Sequence, residues 1–253
     1  MYYVKHIRLR QLMRLNVLKT LIINLRLLPF SKAIKFPILL LGRVDISDSR
    51  YGKLEINCPV RRGLMKVGFY PSRVFGNNTP EVSRLAINGT LVLNGNLSVG
   101  NGSVFEIEIG GIAQIGNDVH FQSKTRLYVE DKLIIGDTVR FAWDTQLFDT
   151  DFHYALNVEK NTVRRKTKPI DIGSNVWVGN RCSIMKGAVL PDNCIVASNS
   201  VVNKDLSTEG QYSTFAGIPA KKVGGGYVRV FPIKDELRLD SIFELTKEKE
   251  VSF

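Results

Sequence analysis

Aliphatic residues recur every six positions through the C-terminal half of this chain. Ile172, Val178, Ile184, Leu190, Val196 and Val202 keep that spacing without a slip. Four residues after each of the first five stands a small or slim side chain: Val176, Cys182, Ala188, Cys194 and Ser200. Such a period belongs neither to an amphipathic helix nor to the alternation of a half-buried strand. It is the step of a prism-shaped β-solenoid, in which each hexad supplies one short strand and one sharp turn. The bulky aliphatic is expected to point into the prism and the small residue to occupy a tight corner.

The same period runs upstream in shifted phases. Ile87, Leu93, Val99 and Phe105 form one run, Ile109, Ile115, Phe121 and Leu127 a second, and Ile135, Phe141 and Leu147 a third. Weaker repeats begin near Val44. Each phase jump marks extra residues leaving the coil. The largest lies between Leu147 and Ile172 and holds Asp149, Asp151, His153 and a basic stretch at 164–168. Loops on a repetitive scaffold are where function concentrates.

Both ends differ from the repeat. Residues 3–28 carry apolar side chains near helical spacing at Ile7, Leu12, Leu15, Leu18, Ile22 and Leu25, and Pro29 is expected to end that helix. A polar tail predicts a helix over 234–249, with Ile242, Phe243 and Leu245 as a docking face. The division read from the sequence is a basic helical cap over 1–43, a solenoid over 44–223 with its functional loop at 148–171, and a tail over 224–253. A solenoid end exposes unpaired backbone groups, so the N-terminal helix is expected to cover the first coil.

Charge sharpens this picture. The formal net charge is +11, yet residues 1–44 hold Lys5, Arg8, Arg10, Arg14, Lys19, Arg26, Lys32, Lys35 and Arg43 with no Asp or Glu. That segment fits a solvated cap or a contact with an anionic membrane surface or glycan. No recognition motif accompanies it, so no nucleic-acid partner is expected. The apolar stretch at 36–41 is far short of the roughly 20 residues that span a bilayer. Basic residues interrupt any signal-peptide core, and a cytoplasmic, membrane-associable protein is expected. Cys58, Cys182 and Cys194 form an odd set that predicts free, packing thiols.

The segment IGSNVWVGNRCSIMKGAVLPDNCIVASNSVVNKD, followed by AGIPAKKVG, resembles the C-terminal coils of the hexapeptide-repeat acyltransferases. The likeness is to maltose and galactoside O-acetyltransferases and to bacterial polysaccharide O-acetyltransferases. It extends over 87–223, more loosely over the N-terminal part. It implies a left-handed parallel β-helix, an exception to right-handed crossovers. It further implies a homotrimer with active sites between subunits, acetyl-coenzyme A or another acyl-coenzyme A as co-substrate, and a hydroxyl or amine acceptor.

The resemblance also implies roles for residues. His153, in DTDFH, matches the catalytic histidine that precedes the IGxNVWIG coil. An imidazole suits removal of a proton from a sugar hydroxyl near neutral pH. Asp149 or Asp151 would orient it. Trp177, Gly179, Asn180, Ser198, Asn203, Lys204, Lys221 and Lys222 match coenzyme-lining positions, with Lys221 and Lys222 facing the phosphates. Gln122 (or Ser123) and Glu130 match the acceptor-binding positions. Departures occur: Val196 to Ser200 replaces the usual Ile-Gly-Ala-Gly-Ser, and Tyr154 stands where maltose-type enzymes carry proline after the histidine. The latter points toward the polysaccharide-modifying branch.

No Ser or Cys is paired with a base, so direct transfer rather than an acyl-enzyme is expected. With only His6, His120 and His153 in the chain, the three-histidine zinc site of carbonic anhydrases on this fold is not expected, nor is any catalytic metal. N-acylation of an amino sugar or antibiotic stays open, as does a non-catalytic trimeric scaffold or glycan-binding module.

Overall fold

The computed structural model describes residues 14–69, 81–231, 233–246 and 249–252. Its strands pair almost entirely in parallel, in sheets of nine, seven and six strands, called here sheets one, two and three. These are the walls of a left-handed parallel β-helix. Consecutive hexads step from wall to wall, so every third hexad returns to the same ladder. Val178 therefore pairs with Val196, Ile184 with Val202 and Ile172 with Leu190. All are buried, as are the small residues Val176, Cys182, Ala188, Cys194 and Ser200. Upstream, Phe121 and Phe141 occupy the inner face of sheet one and stack with centroids 4.6 Å apart.

The corners demand left-handed backbone. Asp118, Thr138, Asn175 and Asn193 have positive φ along one prism edge, and Lys124, Asp144, Arg181 and Asn199 along another. Asn and Asp tolerate that conformation because their short polar groups bond locally. Asn175 Nδ2 donates to Asn193 Oδ1 at 3.1 Å, tying neighbouring coils at the corner.

Helix α1 (Val17–Leu27) closes the first coil. Its N-cap, Asn16, accepts the Lys19 N–H at 3.1 Å, and Leu28 and Pro29 follow its last turn. Asn24 Oδ1 accepts the Ile38 N–H at 3.0 Å while its Nδ2 donates to the Ile38 carbonyl at 2.8 Å. Thr20 Oγ1 accepts the Leu40 N–H at 3.1 Å. Lys19 donates to the Val44 carbonyl, and Arg26 to those of Ile46 and Ser49. Side chains of the helix thus satisfy backbone groups that an open sheet edge would leave unpaired.

Several expectations are corrected. The first coil strand is Ile38–Leu40, paired with Met65–Phe69, ahead of Val44. Ile109 is 70% exposed, because Gly110 and Gly111 turn the chain at a corner there and the inward residues of the next strand are Ala113 and Ile115. The core face of α1 is Thr20, Ile23, Asn24 and Leu27, whereas Leu18 and Leu25 face outward. Ile7 and Leu12 lie outside the described residues. Helix α3 (Ile233–Thr246), after a second short helix α2 (Phe30–Ala33), is the last. Its Leu245 is exposed, so the tail does not bury the expected face against this chain. Among the described residues no helix is long and apolar enough to cross a membrane.

Candidate active site

The histidine loop leaves the prism at the edge between sheets two and three. It departs after the strand Gln146–Phe148 and returns at Ile170–Ile172. Its stem is a two-stranded ribbon. The Lys168 N–H donates to the Asp149 carbonyl, Thr150 bridges Thr167, and the Asp151 N–H donates to the Lys166 carbonyl. Farther out, Leu156–Asn157 pairs antiparallel with Thr162–Val163. His153 sits exposed on this ribbon, one residue after Phe152, whose φ is +61°. The His153 N–H donates to the Asp151 carbonyl at 2.7 Å, closing a tight turn.

Four anchors hold the stem against the coils below. Both oxygens of the buried Asp149 accept backbone N–H groups, from Glu130 and from Asp131, at 2.8 Å each. Glu130 accepts the Thr150 hydroxyl at 2.6 Å and pairs with Lys166. Asp151 pairs with Lys186 of the following coil. Phe152 packs on Tyr128 and Phe148, with centroids 4.9 and 5.4 Å away. Burial raises the Asp149 carboxyl above its ordinary value, against the lowering pull of its amide bonds. Burial also pushes Glu130 upward, but the Lys166 and Thr150 hydrogen bonds together hold it below its usual value. Burial and the neighbouring Glu108 hold the Tyr128 phenol well above its ordinary range.

These contacts divide the carboxylates by role. Asp149, expected as a possible partner of the imidazole, is turned inward onto backbone amides and shapes the loop instead. Asp151 is the one on the solvent side. Glu130, expected at the acceptor, has its oxygens occupied by Thr150 and Lys166 and anchors the loop.

Most of the coenzyme-matched residues lie elsewhere. Gly179, Asn180 and Ser198 follow strands of sheet one and occupy the edge between sheets one and two. Ser198 Oγ donates to Asn180 Oδ1 at 2.6 Å. A Cβ on Gly179 would lie 2.6 Å from the Ser198 nitrogen, so only glycine lets these coils approach. Gln122 lies on this same edge, where its carbonyl accepts the Thr125 hydroxyl at 2.8 Å. Trp177 stands on the outer face of sheet one, between Arg140 and Ile195 in the ladder. Asn203 and Lys204 follow the strand Val201–Val202 and share the edge of the histidine loop. Lys221 and Lys222 lie on the terminal hairpin strand Ala220–Gly225, and Lys222 donates to the Glu209 carbonyl at 2.7 Å.

One chain therefore carries two groups of candidate residues on different prism edges. His153 and its anchors are on one; Gly179, Asn180 and Ser198 are on the other. Sequence reading missed the anchors Phe152, Lys166 and Lys186, and also Arg229, whose guanidinium lies 5.5 Å from the Trp177 ring centre. Their signal is three-dimensional, since each is defined by a partner distant in the chain: Tyr128 for Phe152, Glu130 for Lys166, Asp151 for Lys186 and Trp177 for Arg229. His120, expected as a surface residue, is largely covered and bonds Asp118 at 3.0 Å. Burial and the nearby Arg140 lower its pKa. Among the described residues, no group of three or more His, Cys, Asp or Glu is arranged to hold a metal ion.

Residues 169–204 match the family described as bacterial transferase hexapeptide (six repeats). The galactoside O-acetyltransferase of Escherichia coli is 27% identical over 114 residues, 45% of this chain and 54% of that protein. A probable macrolide acetyltransferase of Lysinibacillus sphaericus is 32% identical over 111 residues, 37% of this chain and 60% of that protein. The alignments thus span about half the length of these curated relatives. The crystal structure of the polySia specific acetyltransferase NeuO superimposes with a TM-score of 0.53 at 20% identity, covering 85% of this chain and 91% of that one. That likeness is one of fold. Residues 169–204 are a bacterial transferase hexapeptide segment, and the chain around them resembles the hexapeptide-repeat acyltransferases.

Proposed function

We propose that this protein is an acyl-coenzyme A-dependent O-acyltransferase, with acetyl-coenzyme A as donor and a sugar hydroxyl of a polysaccharide or related glycan as acceptor. The observation that carries this reading is the histidine loop: an exposed imidazole on a ribbon pinned to the coils by Asp149, Glu130, Lys186 and Phe152. A solvent-exposed His on a ribbon held in four places suits a positioned base better than a free surface loop does.

The acceptor hydroxyl attacks the thioester carbonyl as His153 takes its proton. The tetrahedral intermediate collapses with loss of the coenzyme A thiolate, which recovers a proton from the imidazolium. Backbone N–H groups at the corners are suited to stabilise the oxyanion, a contribution often worth about 3 kcal/mol. Transfer is direct, so both substrates bind before either product leaves. Of the two aspartates Asp151 is the exposed one; one of its oxygens pairs with Lys186, and the other is the one we assign to orient the imidazole.

The separation of His153 from Asn180 and Ser198 onto different edges supports a homotrimer. In a ring of three prisms, the histidine edge of one copy can face the Asn180 edge of the next. Coenzyme A would then lie between them, with Lys221 and Lys222 toward its phosphates and Asn203 and Lys204 beside the loop. Gln122, on the Asn180 edge, would contact an acceptor held at such an interface.

The test is thiol release from acetyl-coenzyme A with a panel of sugars and glycan fragments, for wild type and His153→Ala. Acceptor-dependent release that falls at least about 100-fold in the variant supports the reading. Absence of both release and coenzyme A binding would leave a scaffold or glycan-binding module. Release confined to amino-sugar acceptors would make the enzyme an N-acyltransferase.

A further inference from the structure

Helix α1 is apolar on two faces, and one of them is used. Ile23 and Leu27 are buried against the first coil, with Thr20 and Asn24 bonded to its edge. On a neighbouring face Val17, Leu18, Leu21 and Leu25 are exposed by 69, 67, 41 and 46%. At 100° per residue they fall within one outward stripe. Phe30 and Ile34, in and after α2, add two apolar side chains exposed by 72 and 53%. Six exposed apolar residues within eighteen leave apolar surface in water, which ordinarily marks a contact.

Charge selects the occupant. Among the described residues, 14–44 carry Arg14, Lys19, Arg26, Lys32, Lys35 and Arg43 and no acidic residue, with Lys19 and Arg26 bonded to coil carbonyls. Two copies of this face brought together would set cation against cation. An anionic lipid surface complements it instead, and apolar burial and electrostatic attraction then act together. The length of α1, 11 residues, suits lying in the interface rather than crossing it.

We propose that the outward face of α1 and α2 docks the protein onto an anionic membrane surface, the solenoid standing on the bilayer by its N-terminal end. Leu18, Leu21, Leu25, Phe30 and Ile34 enter the headgroup region. Lys35 and Arg43, both exposed, reach lipid phosphates. The histidine loop follows the fifth strand of sheet two. Four strand spacings put it roughly 20 Å above the first coil. If the acyltransferase reading holds, the acceptor is a glycan carried at that height above a lipid anchor.

Co-sedimentation of the full chain with large vesicles tests this without reference to activity. Phosphatidylcholine vesicles are compared with vesicles containing phosphatidylglycerol, for wild type and for Leu18→Glu/Leu25→Glu. Those positions are exposed, and a circular-dichroism melt checks that the variant is folded. The expected result is binding to phosphatidylglycerol vesicles that weakens with salt and falls at least tenfold in the variant. No binding to either vesicle, or equal binding by both proteins, overturns the proposal. So does a smaller oligomer for the variant than for wild type, since the patch would then be an interface between copies. Loss of acyl transfer with vesicle binding intact would count against the enzymatic reading alone.

Discussion

Asp149 holds the Glu130 backbone: its Oδ1 accepts the Glu130 N–H at 2.8 Å, while Oδ2 accepts that of Asp131 at the same distance. The first residue of the DTDFH motif is therefore a brace between adjacent coils. Asp149→Asn would set an amide N–H₂ against a backbone N–H and leave a buried donor unpaired. The expected cost is about 1–3 kcal/mol, read from urea unfolding, with loop 149–168 becoming more sensitive to protease.

Glu130 makes that anchoring depend on pH. Its carboxyl titrates lower in the folded chain than in the unfolded one, because Lys166 and Thr150 bond its charged form. A depressed carboxyl stabilises the fold above its unfolded pKa of 4.5 and loses that contribution as pH falls through the lower folded value. Thermal melts of wild type should exceed those of Glu130→Gln at neutral pH and converge with them as the pH drops below 4.5. Parallel curves across that window would reject the anchor.

Asn24 bonds both the N–H and the carbonyl of Ile38, and it is fully buried. Asn24→Ala strands two edge groups without water. A loss of at least about 2 kcal/mol is expected, together with a rise in aggregation, because the first strand becomes an open edge. Light scattering during a thermal ramp reads the second effect.

Gly179→Ala tests the close approach of coils beside Asn180. The added carbon would meet the Ser198 nitrogen at 2.6 Å and its hydroxyl at 2.9 Å. Destabilisation of about 1–3 kcal/mol is expected, with weakened coenzyme A binding measured by calorimetry.

The thiols should separate by burial. Cys182 and Cys194 are fully buried, and desolvation raises both, Cys194 to about 12. Cys58 is half-buried. A chromogenic disulfide reagent at pH 8 should find one fast thiol in the native protein and three after denaturation, since the thiolate is the reactive form.

Much of the fold was legible because six-residue periodicity is a local property. Ile172 to Val202 declared their wall ladders through spacing alone, and each proved buried. Ile109 broke the reading because the two-glycine corner after it resets the phase. Helix α1 was legible as a helix, but not which face it buries. Leu18 and Leu25 are as apolar as Leu27, and only the position of Ile38 beneath Asn24 and of Leu40 beneath Thr20 decides.

The site divides the same way. DTDFH, VWVG and AGIPAK are contiguous strings, so the sequence by itself determined the solenoid, its interrupting loop and the histidine that loop carries. Tertiary structure alone decided that Asp149 faces inward, that Glu130 meets Lys166, and that His153 and Asn180 lie on different prism edges. The physical reason is cumulative. The edge on which a residue falls depends on every inserted residue before it, and a side chain's partner depends on the coil above or below, some twenty residues away in the chain.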